Sequence, residues 1–189
     1  LGIITDTHPP PANVHDSIVY LTRLDRQVER FGFAVGAVGL DAGYATPGIA
    51  RGLEERNILG VTGYRNPTPP RSGMMRKSRF AYEAEQDGYR CPEGQVLPYA
   101  TTDRSGYKHY RSDPAICKTC PLLASCTSNA KAQRTITRHV WQDARERTNA
   151  HRLTPWGKAI YKRRKETVER SFADAKQLHG HRYARFRSL

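Results

Sequence analysis

With 189 residues, 38% of them hydrophobic, the chain has enough material for one domain with a core, or for one domain carrying a small insertion. No run of about 18 apolar residues occurs, which excludes a helical membrane span, and the opening Leu-Gly-Ile-Ile-Thr has neither the basic nor the apolar stretch of a signal peptide. The formal charge of +13 is unevenly placed: residues 1–129 hold 15 Lys/Arg against 13 Asp/Glu, and residues 130–189 hold 16 against 5.

Taken in chain order, "GIITDT" (2–7) predicts a short β-branched strand, and the chain opens as if inside a longer protein. The three prolines of "HPPPAN" (8–13) remove amide donors and end that strand. Asn13 or Asp16 then caps a helix from Ser17 to about Arg30, on which Ile18, Leu21, Leu24, Val28 and Phe31 recur at helical spacing. "FAVGAVGLD" (33–41) is a nearly unbroken apolar run, the pattern of a strand buried on both faces. Thr46-Pro47 starts a second helix over 46–57, and "ILGVTGYR" (58–65) is another strand. Strands alternating with helices over short connections imply parallel pairing.

The rhythm breaks at "NPTPPRSG" (66–73). Residues 67–140 suit short β-hairpins, with turns at Asp87-Gly88, Glu93-Gly94 and Ser105-Gly106. Helical patterning returns from Trp141 to about Ala150. It continues in a long helix capped by Thr154, opened by Pro155 and ended before Gly180. Val168, Phe172 and Ala175 form its apolar stripe, with Glu169 at the edge. The division expected is therefore 1–66, an inserted module at 67–140, and a helical return at 141–189.

Two carboxylates stand out. Asp41 ends an apolar strand, where parallel sheets place their sites, although such an aspartate often only caps the next turn. Glu169, among basic residues on a helix, is by itself most simply an ion-pair partner. A carboxylate on a strand end and another on a later packed helix together form an oxygen-ligand set for Mg²⁺, and paired metals promote phosphodiester transfer. All four cysteines, Cys91, Cys117, Cys120 and Cys126, lie in the hairpin region. Cys₄ zinc is one reading, since a small module gains a staple from it. Reduced, unligated thiols are the other, and His139 is a substitute ligand or a surface residue. The excess positive charge of the last third suits a polyanion, because phosphate neutralisation dominates nucleic-acid affinity.

The segments "VHDSIVYL", "LDAGYATPGIARGLEER" and "YKRRKETVERSFADAK", in this order, resemble the DDE transposases of bacterial insertion sequences, in the group with a cysteine-bearing insertion before the last catalytic helix. The resemblance runs over essentially the whole chain. It implies an α/β, RNase H-like core lacking its first strand, interrupted by a small β-rich zinc-binding insertion. It implies Asp41 and Glu169 as catalytic Mg²⁺ (or Mn²⁺) ligands, with Glu166 a rival for the second place, and a first aspartate upstream of Leu1. Lys176, Arg170 and Lys165 would contact DNA, and Tyr161 would pack in the core or stack near DNA. Asp6 is expected to be peripheral. The implied activity is cleavage and strand transfer at transposon ends and target DNA by a cytoplasmic, nucleoid-associated bacterial protein, with a second copy of the chain (a homo-oligomer) among the partners implied. A non-catalytic DNA-binding remnant or regulator is the alternative.

Overall fold

The computed structural model describes residues 4–8, 10–70 and 73–180, all with side chains except that of Lys165. The chain divides into two compact units, one of residues 1–65 and 143–189, the other of 66–142.

In the first unit, α1 spans Asp16–Phe31. Its cap is neither Asn13 nor Asp16. His15 Nδ1 accepts from the Ser17 amide at 3.2 Å, and Asp16 sits in the first turn, where its charge favours the helix N-terminus. Gly32, at φ 63°, ends the helix by donating its N–H to Val28 O. Residues 4–8 form no strand, in contrast to the expectation for 2–7. They run instead beside α1, where Thr5 Oγ1 donates to Gln27 and Arg23 grips Asp6. Residues 1–3 lie outside the described set.

β1 (Ala37–Leu40) and β2 (Leu59–Thr62) pair in parallel, in register from Ala37↔Leu59 to Leu40↔Thr62. Between them α2 (Pro47–Glu54) is capped by Thr46 Oγ1, which accepts from the Ile49 amide at 3.2 Å. Leu24, Leu40, Ile49, Leu53 and Ile58 form the core of this unit. Burying one such leucine contributes about 1.5–3 kcal/mol. β1 is shorter than the 33–41 run and only half-buried except at Leu40, because β2 is its one hydrogen-bonded neighbour among the described residues.

The chain returns through α5 (Gln142–Leu153), α6 (Pro155–Arg164), a π-turn at Lys165–Glu169, and α7 (Arg170–Leu178). Thr154 Oγ1 accepts from the Gly157 amide at 2.9 Å and caps α6. α6 packs on the strand pair, and two glycines allow it. A Cβ on Gly39 would lie 3.5 Å from Ile160 Cγ2, and one on Gly63 only 2.6 Å from Tyr161 Oη and 2.9 Å from Ala42 N. The expected stripe Val168–Phe172–Ala175 is not a buried face: Val168 and Phe172 are 41% and 64% exposed.

The second unit is one antiparallel sheet in the order β3-β4-β5-β6-β7, comprising Ala81–Glu83, Gly88–Arg90, Val96–Thr102, Tyr107–Arg111 and Thr135–His139. Its first two turns end at Asp87 and Gly94 and its third contains Gly106, all at positive φ (41°, 79° and 80°). Phe80, Tyr89, Leu97, Tyr110 and Ile136 make its core. Asp87 is the polar hub, accepting from Tyr110 Oη at 2.6 Å, Lys108 Nζ at 2.8 Å and Tyr82 Oη at 2.9 Å. These donors, Lys108 first, hold its carboxyl down at about 2. Burial and the neighbouring Asp87 push the Tyr110 hydroxyl well up. One-turn helices α3 (Pro114–Cys117) and α4 (Leu123–Cys126) fill the loop between β6 and β7. They are too short to leave a periodic pattern in the sequence.

Candidate functional site

Asp41 follows the last residue of β1, at the C-terminal end of the parallel pair. Its extended backbone (φ −74°, ψ 175°) lets the side chain fold forward over the next turn. Oδ1 accepts from the Gly43 amide at 2.7 Å and caps the short 3₁₀ turn Ala42–Tyr44. A Cβ on Gly43 would crowd that oxygen at 3.0 Å. The capping role and an outward-facing carboxylate are thus compatible, because one oxygen serves each. The Tyr161 hydroxyl packs close to Gly63, just after β2.

Asp41 and Glu169 line the same pocket, of about 500 Å³, with Arg164, Phe172, Ala173, Lys176 and Gln177. Both carboxylates are about half exposed. Arg164, with a side chain only 16% exposed, stands between them. Its Nη1 donates to Glu169 Oε1 at 2.9 Å, and its Nη2 lies 4.0 Å from Asp41 Oδ2. The guanidinium therefore sits where its charge is shared by two acids. Lys176, from α7, is the second basic residue of the lining.

Of the other expected site residues, Arg170 is exposed and not part of this lining, and neither is Glu166. Lys165 opens the π-turn, but its side chain lies outside the described ones, as do residues 181–189 of the basic tail. Asp6 is peripheral: Arg23 binds both of its oxygens and lowers its pKa. Arg164 was not singled out in the sequence. It lies within the basic run Lys162–Lys165, where nothing local distinguishes it from its neighbours.

The donor set of Asp41 and Glu169 fits a hard, oxygen-seeking cation such as Mg²⁺. Cys91, Cys117, Cys120 and Cys126 likewise line one pocket, of about 230 Å³, in the second unit, and all four are free thiols. Burial pushes the Cys126 thiol up, and the other three add to this against the pull of Arg134. Among the described residues, however, no three or more His, Cys, Asp or Glu side chains are gathered as a metal-holding group. Asp41 and Glu169 offer oxygen donors, and the four cysteines thiol donors. His139 belongs to neither: it packs edge-on to Tyr107 and accepts from the Trp141 amide.

A mixed α/β protein with two acids and two bases converging at a strand end is the class defined by these features. A family model described as the transposase DDE domain matches residues 90–189, just over half of the chain, and the chain belongs to that family. The match contains Glu169, Arg164, Lys176 and the four cysteines, while Asp41 precedes it. No curated protein and no solved structure matches the chain. No helix among the described residues is long and apolar enough to cross a membrane.

Proposed function

We propose that this chain belongs to a transposase catalytic domain of RNase H-like ancestry, cutting DNA at element ends and joining the freed 3′-OH to target DNA. The observation that carries the reading is the convergence of Asp41 and Glu169 on one pocket, with Glu169 inside the family match. In this reading 67–140 is an insertion between the two parts of the core.

Asp41 and Glu169 would supply oxygen ligands to Mg²⁺ or Mn²⁺. When bound, such an ion activates the attacking oxygen and stabilises the leaving one. The protein's own part is geometric. The Gly43 amide fixes Asp41 Oδ1, leaving Oδ2 to face the pocket. Lys176 offers a cationic donor to the phosphate being transferred, and exposed Arg170 a contact for the DNA backbone. The four cysteines would supply thiolate ligands to a structural Zn²⁺.

The test uses the 189-residue chain as it is. Mn²⁺ binding is read by electron paramagnetic resonance, and zinc by metal analysis of the same purified protein. Asp41→Asn and Glu169→Gln are each expected to weaken Mn²⁺ binding beyond the about 10–100-fold typical of losing an outer-shell partner. Wild-type affinity in both variants sinks the carboxylate assignment. DNA binding that falls steeply with salt, without any Mn²⁺ site, would instead favour a non-catalytic DNA-binding remnant. A zinc content near zero after reducing purification removes the cysteine assignment.

A further inference from the structure

The helical return that carries Glu169 contains one residue more than an α-helix can use. Two side-chain stripes are involved. On α6, Ile160, Tyr161 and Arg164 face the strand pair, packing at Gly39 and Gly63. On α7 and the end of the π-turn, Glu169, Ala173 and Lys176 line the acidic pocket. Arg164 follows Ile160 by four residues and Tyr161 by three, and Glu169, Ala173 and Lys176 follow one another by four and three, as an α-helix requires. Between Arg164 and Glu169 the step is five. At about 100° per residue, a continuous α-helix would leave these two side chains about 140° apart. They are instead hydrogen bonded at 2.9 Å.

The π-turn Lys165–Glu169 removes the difference, since its wider turn brings i and i+5 onto one face. Side-chain hydroxyls support it. Thr167 Oγ1 donates to Arg163 O at 3.0 Å and lies 3.4 Å from Arg164 O, and Ser171 Oγ donates to Thr167 O at 2.8 Å. Such back-bonding occupies carbonyls in a turn that departs from the regular ladder.

We propose that the π-turn is a register device absorbing one surplus residue, and that Arg164 is the positioning residue that holds Glu169 toward Asp41 across it. This rests on the reading of Asp41 and Glu169 as the metal-binding pair. It leads to an outcome unlike that of most deletions in a helix. Removing Thr167 converts the five-residue step into four, lets a regular α-helix form, and keeps Arg164 and Glu169 on one face. Inserting an alanine after Thr167 makes the step six and turns Glu169 away.

Two readouts on the same samples test this. The first is Mn²⁺ affinity. It is expected to stay within about threefold of the parent in the Thr167 deletion and to fall by about tenfold or more in the insertion. The second needs no metal: a side-chain NOE between Arg164 and Glu169, expected in the parent and the deletion and absent in the insertion. Deleting exposed Glu166 instead gives the same register by a second route. The inference is overturned if both deletions unfold the helix or lose the NOE, or if the insertion keeps it. Absence of Mn²⁺ binding in the parent would remove the carboxylate reading alone, and the NOE would still decide the register.

Discussion

The two units are held by different means. The second is built from neighbours in sequence: five antiparallel strands follow one another in the sheet, and its core is rich in tyrosines whose hydroxyls converge on Asp87. The first is aliphatic at its core and is closed by segments far apart in sequence. β1 and β2 need α2 to cross between them, and the helix that packs on them arrives more than 90 residues after β2. Local hairpins close small loops, whereas the first unit must order two distant segments before they gain from contact. The candidate acidic pocket therefore sits where the chain's most non-local pairing occurs, with Asp41 and Glu169 contributed by opposite ends.

The largest effects expected come from the cores. Leu53→Ala and Leu97→Ala remove side chains that are 1% and 0% exposed, and each is expected to cost about 2–5 kcal/mol by urea unfolding. Hydrogen exchange should assign the loss: faster exchange in β1 and β2 for Leu53→Ala, and in β4 to β6 for Leu97→Ala. The same exchange pattern in both variants would abolish the distinction drawn here.

A smaller effect separates the units by acid. The folded-state pKa of Asp87 is depressed to about 2, so its contribution is present above the ordinary carboxylate value and is lost as pH falls through about 2. Near-UV circular dichroism of the tyrosine cluster is expected to change in that window. Tyr110→Phe removes one donor, should cost about 1–3 kcal/mol, and should move the acid transition to higher pH. A transition that does not move would mean Asp87 is not the hub.

The smallest effect concerns the tie between α2 and α5, where Arg147 Nε donates to Glu54 at 2.7 Å. The arginine is 57% exposed, so Arg147→Ala is expected to cost only about 0.2–1 kcal/mol and to cost less at high salt. A loss comparable with that of Leu53→Ala would mean that the helical return is held by charge more than by packing.

Much of this molecule was legible in the chain. Thr46 and Thr154 cap their helices because a hydroxyl before a Pro-initiated turn has a local amide to accept from. The strand–helix–strand order led to the parallel pair, and the glycines at 94 and 106 marked turns that need positive φ. These are short-range matters, decided within a few residues. The charge, the family resemblance and the two acids worth naming were also properties of the sequence.

Other features were not local and could not be read so. His15 caps α1 because the loop before it leaves the imidazole over the first turn. Residues 4–8 lack a strand because no partner edge reaches them among the described residues. Asp87 became a hub only when β3 and β6 aligned three donors on it. The helical return illustrates the division best. Sequence alone determined that Glu169 lies on a helix beside basic residues. Only tertiary structure decided which way it faces, because α6 is locked by packing on the strand pair while α7 must present Glu169 to Asp41, and the π-turn takes up the residue by which those two demands differ.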